Sequence, residues 1–402
     1  MRKHLSFAML LAAFALVVAA CGDDDAATTT AAPTTAATTT TAATTTSAGE
    51  TTTTAPAVVV PDFCLEIPGA ADLVADGTGV NVGLTFDLLG RGDQSFNDAA
   101  GCGVDWARLY FGVGVNEITP TDEAARATDL QLQAENSPIV IGNGFSFEAA
   151  FPDVCVNNPD VNFAITDTSM LDFSLTPPGP YCDNARGMVF AEHEGSYLVG
   201  VAAALKSETG KIGFIGGVSG IGLIEKFEAG FIAGAKSINP DIEVVSEYVS
   251  AFPDFAGFAS PDRGREIALA MFGENADVVY AAAGLTGSGM FVGAKEYSEA
   301  NDVHVWGIGV DSDQYLTVDP EYQPYVLTSM IKHVEVSVFY AIYDHLTGNF
   351  TAGPSTYDLA VGGVGYSTSG GFIDDITDQI DAAAAQIISG EIVVPTDPTT
   401  IP

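Results

Sequence analysis

The stretch VNVGLTFDLLGRGDQSFND, residues 80–98, decides the fold, and the rest of the chain can be interpreted outward from it. In its first part, apolar residues alternate with polar or small ones, and β-branched and aromatic side chains are frequent. This pattern is typical of a buried strand that ends at Asp87. Two glycines then interrupt the strand. Ser95, with Asp98 three residues later, has the spacing of a helix N-cap. The pattern predicts a strand, a polar turn and a helix.

This unit is the usual beginning of a doubly wound sheet, in which ligands bind at the carboxyl ends of the strands. Asp87, Phe96 and Asn97 all fall at that edge. A carboxylate, an aromatic face and an amide suit a ligand pocket. In the alternative interpretation, Phe96 is a core residue and the acidic residues only solvate the turn. The spacing alone favours neither.

The composition limits the partners that the protein can have. The chain has 402 residues, of which 47% are hydrophobic, so it can bury a large core and form more than one domain. Lys and Arg number 14 against 52 Asp and Glu, which gives a net charge of −38. A field of this sign repels nucleic acid and disfavours a nucleotide or other polyanionic ligand. We therefore expect no nucleic-acid partner.

The N-terminal segment predicts export and anchoring. Residues 1–21 combine a positive start with a short apolar run, which is typical of a signal peptide. The run ends in VAAC, which resembles a bacterial lipobox with Cys21 as the lipidated residue. An ordinary signal peptide with a chance cysteine is the alternative. Residues 22–60 are mostly Thr and Ala, which predicts a disordered tether. The prediction is a lipid-anchored protein on the extracytoplasmic face of the cell membrane.

Four further cysteines indicate two disulfides, because an even number is usual in exported proteins. Three pairings are possible. We favour Cys64 with Cys102, which would hold the N-terminal segment to the first helix, and Cys155 with Cys182, which would bracket a strand. None of the four has the spacing of a metal site, so we expect no metal.

Strand and helix patterns alternate twice along the chain, which predicts two similar lobes. We assign residues 61–190 and 312–350 to an N-terminal lobe, and residues 191–311 and 351–390 to a C-terminal lobe. Residues 391–402 are left as a tail. Three crossings between the lobes would form a hinge.

Other strands of the pattern also end in residues suited to a pocket. Asp167 and Asp311 each close a predicted strand, so both would reach the same crevice. Gly284 lies in a glycine-rich turn that opens a helix and would let a ligand approach the backbone. That turn is not a dinucleotide fingerprint, and no phosphate-binding lysine follows it.

Several stretches resemble the basic membrane protein family, the nucleoside-binding lipoproteins that serve ABC transporters. They are FDLLGRGDQSFND (86–98), EGSYLVGVAAALKSETGKIGFIGG (194–217), KFEAGF (226–231) and GVDSDQY (309–315). The resemblance extends from about residue 80 to about residue 346. It implies an α/β type I periplasmic-binding-protein fold, with two Rossmann-like lobes of parallel sheet joined by a three-crossing hinge.

The resemblance also implies the ligand, a purine nucleoside held between the lobes. Phe96 and Phe227 would stack on the base, and Gly284 would let the backbone close on the sugar. The remaining polar contacts would come from Asp87, Asn97, Asp167, Asp311 and Lys332, with Asp311 accepting from the ribose hydroxyls. Leu88 and a proline-rich insertion near Pro177 depart from the family pattern and can shift the choice of ligand.

The functional prediction is a monomeric binding protein, without cofactor, that delivers the nucleoside to an ABC permease and its ATPase. A binder of another polyhydroxylated molecule, such as a sugar or a furanone signal, remains open, as does a sensor that transports nothing. A nucleoside hydrolase is less favoured, because its acidic residues would form a cluster and here they stand singly at separate strand ends. We find no Gly-x-Ser-x-Gly or HExxH motif, so we do not expect an enzyme.

Overall fold

The computed structural model describes residues 58–401. The predicted signal peptide, the lipidation site Cys21 and nearly all of the predicted tether lie outside this part of the chain. Within it, no helix is long and apolar enough to cross a membrane.

The described residues form fourteen strands. In chain order they are β1 (Asn81–Thr85), β2 (Gly114–Ile118), β3 (Ile139–Gly142), β4 (Asn162–Thr166), β5 (Leu171–Asp172), β6 (Gly179–Pro180), β7 (Ala185–Phe190), β8 (Lys211–Ser219), β9 (Glu243–Ala251), β10 (Val278–Ala282), β11 (Trp306–Asp311), β12 (Val326–Lys332), β13 (Gly353–Tyr357) and β14 (Val364–Tyr366).

Ten α-helices accompany the strands in this part of the chain. They are α1 (Phe96–Phe111), α2 (Arg126–Asn136), α3 (Phe151–Asn157), α4 (Glu192–Lys206), α5 (Gly222–Ile238), α6 (Pro261–Gly273), α7 (Thr286–Asn301), α8 (Gln314–Thr317), α9 (Val334–Thr347) and α10 (Thr377–Ile388). Short 3₁₀ turns at Glu123–Ala125, Phe145–Phe147 and Phe255–Phe258 matter for the site described below.

The strands form two six-stranded sheets, as the two-lobe prediction requires. The first has the order β13-β7-β4-β3-β1-β2 and is parallel throughout. The second has the order β14-β12-β11-β10-β8-β9 and is parallel except for β14 at its edge. We call the two sheets with their helices lobe 1 and lobe 2. The predicted fold, two Rossmann-like lobes of parallel sheet, is confirmed.

Helices cover both faces of each sheet, because the strands are apolar on both sides. In β3, for example, Ile139 and Ile141 belong to one hydrophobic core and Val140 belongs to another. In lobe 2, helices α4 and α5 pack so closely that Gly200, Gly230 and Gly234 face the backbone of the opposite helix. A side chain at any of these positions would collide with that backbone.

The predicted lobe boundaries at residues 312 and 351 are wrong. Strand β12 pairs with β11, with Met330 opposite Val310, so residues 312–332 belong to lobe 2. Strand β13 pairs with β7, which places 353–357 in lobe 1. The chain therefore crosses between the sheets after β7, after β12 and after β13. The backbone hydrogen bonds of each strand, which are made with partners distant in sequence, decide its lobe.

The C-terminal segment after residue 390 is also more than a tail. Val394 is buried in the main hydrophobic core, and the 3₁₀ turn Pro398–Thr400 lies against α5. This segment is part of lobe 2.

Both favoured disulfides are present. Cys64 is bonded to Cys102, with their Cα atoms 5.5 Å apart, and ties the N-terminal segment to α1. Cys155 is bonded to Cys182, with a Cα separation of 6.3 Å, and holds the insertion that carries the β5–β6 hairpin.

Candidate functional site

A cavity of about 410 Å³ lies between the lobes, at the carboxyl ends of the strands of both sheets. This is the edge at which ligands bind in open parallel sheets. All eight residues that the sequence predicted for a pocket line it: Asp87, Phe96, Asn97, Asp167, Phe227, Gly284, Asp311 and Lys332. The topology thus brings together residues that are up to 245 positions apart in the chain.

One end of the cavity is built around a buried lysine. The Lys332 side chain is 2% exposed, and its Nζ lies 2.8 Å and 2.9 Å from the two carboxylate oxygens of Asp167. Asp311 Oδ1 is 3.9 Å away on another side. The same ammonium lies over the ring of Phe96, at 4.6 Å from its centroid, and within 5.8 Å of that of Phe227. We call Lys332, Asp167 and Asp311 the lysine end.

The two aspartates of the lysine end occupy equivalent positions in the two lobes. Asp167 directly follows β4 and Asp311 is the last residue of β11. Each has a left-handed backbone, with φ of 66° at Asp167 and 65° at Asp311. Asp tolerates this conformation better than most residues, and such strain concentrates at functional sites. At both strand ends, the residue with the left-handed backbone is therefore the one whose carboxylate approaches Lys332.

Burial sets the electrostatics of the lysine end. Burial raises the pKa of Asp311 above its ordinary value, and Lys332 opposes that rise. Burial also opposes the charge on Lys332, yet the carboxylates of Asp167, Asp311 and Glu192 raise its pKa above the usual lysine value. Asp311 Oδ1 has no hydrogen-bond partner among the described residues. It is a buried acceptor available to a ligand hydroxyl.

A second group of polar residues that line the cavity is built around Asp87. Arg126 Nη2 donates to Asp87 Oδ1 at 2.7 Å, and the Leu88 N–H donates to the same oxygen at 2.8 Å. The side-chain oxygen of Asn97 accepts from the Asp87 backbone N–H and from the side-chain NH₂ of Asn143. This leaves the side-chain NH₂ of Asn97, which has no partner among the described residues, as a donor. We call this the Asp87 end.

Ser95 is the N-cap residue of α1, as predicted, but its side chain makes no capping hydrogen bond. Asp93 accepts the backbone N–H groups of Ser95, Asn97 and Asp98 and so caps α1. Burial raises the pKa of Asp93 to about 7, against the lowering effect of these hydrogen bonds. The Ser95 hydroxyl instead reaches lobe 2, 3.0 Å from the Val310 carbonyl oxygen and 3.1 Å from Asp311 Oδ2. Ser95 therefore contacts the lysine end.

The aromatic residues of the cavity come from both lobes. Phe96 belongs to α1 of lobe 1, and Phe227 to α5 of lobe 2. Phe145 of lobe 1 and Phe255 of lobe 2, which were not predicted, approach to 6.0 Å between ring centroids. Both also line the cavity.

Besides Phe145, sequence reasoning missed four residues that matter to this site. Glu123 and Arg126 lie in a stretch rich in acidic residues, where a single arginine was the only signal. Glu192 is fully buried and lies 3.2 Å from Lys226, which no spacing indicated. Phe255 belongs to a segment with three phenylalanines in seven residues, 252–258, which was a usable sign of an aromatic wall.

The site lacks the features of a metal centre. No group of three or more His, Cys, Asp or Glu side chains among residues 58–401 could hold a metal ion.

Two lobes of parallel sheet with a cavity at their facing strand ends define the class of two-lobed solute-binding proteins. Among solved structures, the chain is similar to an ABC transporter solute-binding protein from Aeropyrum pernix K1. The TM-score is 0.67 with 27% identity, over 80% of this chain and 95% of that one.

Sequence comparison identifies the family within that class. Residues 81–398 match the family described as ABC transporter substrate-binding protein PnrA-like. The chain is 34% identical to the ABC transporter nucleoside-binding protein BmpA of Lactococcus lactis subsp. cremoris, over 79% of this chain and 90% of that protein. It is 32% identical to basic membrane protein A of Borreliella burgdorferi, over 83% and 89%. The chain belongs to this family of ABC transporter substrate-binding proteins.

Proposed function

We propose that the protein binds a purine nucleoside between its lobes and delivers it to an ABC permease, from a lipid anchor at Cys21 on the outer face of the membrane. The observation that carries this proposal is the buried, unpartnered oxygen of Asp311 beside Lys332. A carboxylate there accepts from vicinal ribose hydroxyls, and the lysine donates to the sugar.

The rest of the cavity complements a base. Phe96 and Phe227 offer aromatic faces from opposite lobes, and Asp87 and Asn97 offer an acceptor and a donor. We assign Asp167 to the sugar side of the cavity, because both its oxygens lie within 2.9 Å of Lys332 Nζ. Two separate groups of polar side chains, together with aromatic faces, suit a nucleoside.

The charge of the cavity favours a neutral ligand. Six acidic residues line it, and Lys332 is the single cation among the described lining residues. The phosphate of a nucleotide would be repelled by carboxylates in a low-dielectric cleft. The nucleoside-binding relative from Lactococcus lactis agrees with this choice of ligand class.

Calorimetric titration of the purified protein with adenosine, guanosine, inosine, uridine, ribose and free bases tests the proposal. We expect tight binding of purine nucleosides, loss of binding in Asp311→Ala and weaker binding in Phe96→Ala. Asp319→Ala, at an exposed position of the same lobe, is the matched control and should bind as the unmodified protein does. Binding of ribose but of no nucleoside would indicate that the ligand is a sugar. Release of free base would instead indicate a hydrolase.

A further inference from the structure

We infer that Glu123, held in place by Arg126, makes the Asp87 end selective for purine nucleosides that carry a 2-amino group, of which guanosine is the simplest. This inference rests on the proposed function and adds the identity of the base. Neither Glu123 nor Arg126 was among the residues predicted from the sequence.

A single buried guanidinium joins two carboxylates that line the cavity. Arg126 Nη2 donates to Asp87 Oδ1 at 2.7 Å and to Glu123 Oε1 at 3.0 Å, while Nε donates to Glu123 Oε2 at 2.9 Å. The Arg126 side chain is 3% exposed and lies over the ring of Phe147, 4.9 Å from its centroid. Because the arginine cannot move freely, it fixes Glu123 beside Asp87.

Without this clamp, Glu123 would be an ordinary surface residue. Its side chain is 48% exposed and belongs to the short 3₁₀ turn Glu123–Ala125, which precedes α2. Such a side chain is usually mobile and solvated. The bidentate contact with Arg126 instead orders it at the cavity wall, next to a second carboxylate.

The hydrogen-bonding capacity of the Asp87 end follows from these contacts. An ionised carboxylate only accepts, and each Glu123 oxygen has a second lone pair besides the one that Arg126 uses. Asp87 Oδ1 already accepts from both Arg126 and Leu88, so Oδ2 is the acceptor that Asp87 offers. Asp87 Oδ2 has only a long contact, 3.4 Å, with the Ser146 hydroxyl. Asn97 adds its side-chain NH₂ as a donor, because its side-chain oxygen already accepts two hydrogen bonds within the protein. The Asp87 end thus presents two neighbouring acceptor groups and one donor.

The edge of guanine matches that set. It carries two adjacent donors, the ring N1–H and the 2-amino group, followed by the O6 acceptor. Hypoxanthine keeps N1–H and O6 but lacks the 2-amino group, so one carboxylate would lose its partner. Adenine offers an amino donor beside an unprotonated ring nitrogen, which would face a carboxylate lone pair. A polar group left unpaired at a binding site is a strong source of discrimination.

Titration of guanosine, inosine and adenosine into the unmodified protein and into Glu123→Ala tests the inference. Inosine differs from guanosine only by the 2-amino group, so this pair isolates the contact. We expect guanosine to bind about tenfold more tightly than inosine or adenosine, as for one hydrogen bond to a charged group. Glu123→Ala should remove the difference between guanosine and inosine by weakening guanosine alone. Glu135→Ala, which changes an exposed acidic residue of α2 outside the cavity lining, should keep the difference in affinity between guanosine and inosine.

The outcomes separate this inference from the proposed function. Equal affinities for guanosine and inosine in the unmodified protein would overturn the inference and leave nucleoside binding intact. An equal loss for both ligands in Glu123→Ala would show that Glu123 only supports the fold of the site, which also overturns it. Failure of every nucleoside to bind would overturn the proposed function itself, and the inference with it.

Discussion

His193 illustrates how burial at the hinge determines the charge of a single residue. It lies at the first crossing between the lobes, directly after the buried Glu192, and its Nδ1 has no hydrogen-bond partner among the described residues. Burial, and then the positive charge of Lys226, lower the pKa of His193 from 6.5 to about 4. The folded protein therefore keeps this imidazole neutral where the unfolded chain protonates it.

This shift predicts a loss of stability in mild acid. Between about pH 6.5 and pH 4 the unfolded state binds a proton that the folded state refuses, so the free energy of unfolding falls as the pH falls. Above pH 6.5 the contribution of the neutral His193 to the free energy of unfolding is fully present. His193→Asn removes the titrating group, so its stability should decrease less than that of the unmodified protein between pH 7 and pH 4.5. Urea unfolding at the two pH values measures the difference, and an equal decrease in both proteins would contradict it.

At the residue scale, the sequence predicted the acidic strand ends well but not what they bind within the protein. Asp87, Asp167 and Asp311 were predictable because each follows an apolar run and parallel strands share an edge. The partners Arg126 and Lys332 lie 39 and 165 positions from Asp87 and Asp167. Lys332 was named because the family resemblance covers it, whereas nothing in the local pattern indicated Arg126.

Among the elements, the α4–α5 pair shows how small residues permit close packing. Gly234 on α5 faces the carbonyl oxygen of Tyr197 on α4, and Gly230 faces that of His193 in the same way. These contacts involve the backbone, which cannot move aside as a flexible side chain can. Helix packing therefore depends on the absence of a Cβ atom at these positions.

Gly234→Ala should therefore destabilise the protein. The added methyl group meets backbone atoms of α4, and overpacking of this kind costs about 1–3 kcal/mol. The gain in helix propensity, about 1 kcal/mol, offsets only part of it. Gly222→Ala on the same helix is the control, because nothing lies within 4 Å of its Cβ position. Chemical denaturation should show a lower free energy of unfolding for the first variant and no decrease for the second.

Element positions were predicted more accurately than element ends. Strand β1 and helix α1 lie where the pattern of residues 80–98 placed them. Strand β13 ends at Tyr357, and the segment after it crosses between the lobes. Ser95 is the N-cap residue of α1, as predicted, but the capping acceptor is Asp93, two residues earlier.

On the scale of the whole molecule, the Phe145–Phe255 contact joins the two lobes across the cavity. Phe145 follows β3 in lobe 1, and Phe255 follows β9 in lobe 2. The rings are 6.0 Å apart between centroids with an interplanar angle of 56°. In a protein that binds between two lobes, such a contact stabilises the closed arrangement and slows release of the ligand.

Removing either ring should accelerate ligand release. An aromatic pair contributes about 0.5–1.5 kcal/mol beyond its buried area, which corresponds to roughly two- to tenfold in rate. Phe145→Ala and Phe255→Ala should each speed dissociation of a bound nucleoside in stopped-flow experiments. The double variant should release the nucleoside about as fast as either single variant, because both changes remove the same contact. Fully additive effects would contradict the contact, and Phe173→Ala, exposed on the insertion, is the control.

The amino-acid sequence by itself determined the local features of this protein. Periodicity of apolar residues predicts the strands and helices, and the repeated strand–turn–helix unit predicts two lobes. The acidic strand ends and the cysteine count point to a cleft and two disulfides. All of these depend on residues close together in the chain, or on the common rule that parallel strands end at one edge.

Only the tertiary structure decided which distant residues meet. It assigned β12 to lobe 2 and β13 to lobe 1, because strand pairing is settled by backbone hydrogen bonds between segments far apart in sequence. It placed both oxygens of Asp167 on Lys332, and it joined Glu123 to Asp87 through Arg126. The hydrogen-bonding capacity of the cavity, and so its choice among ligands, arises from these long-range contacts.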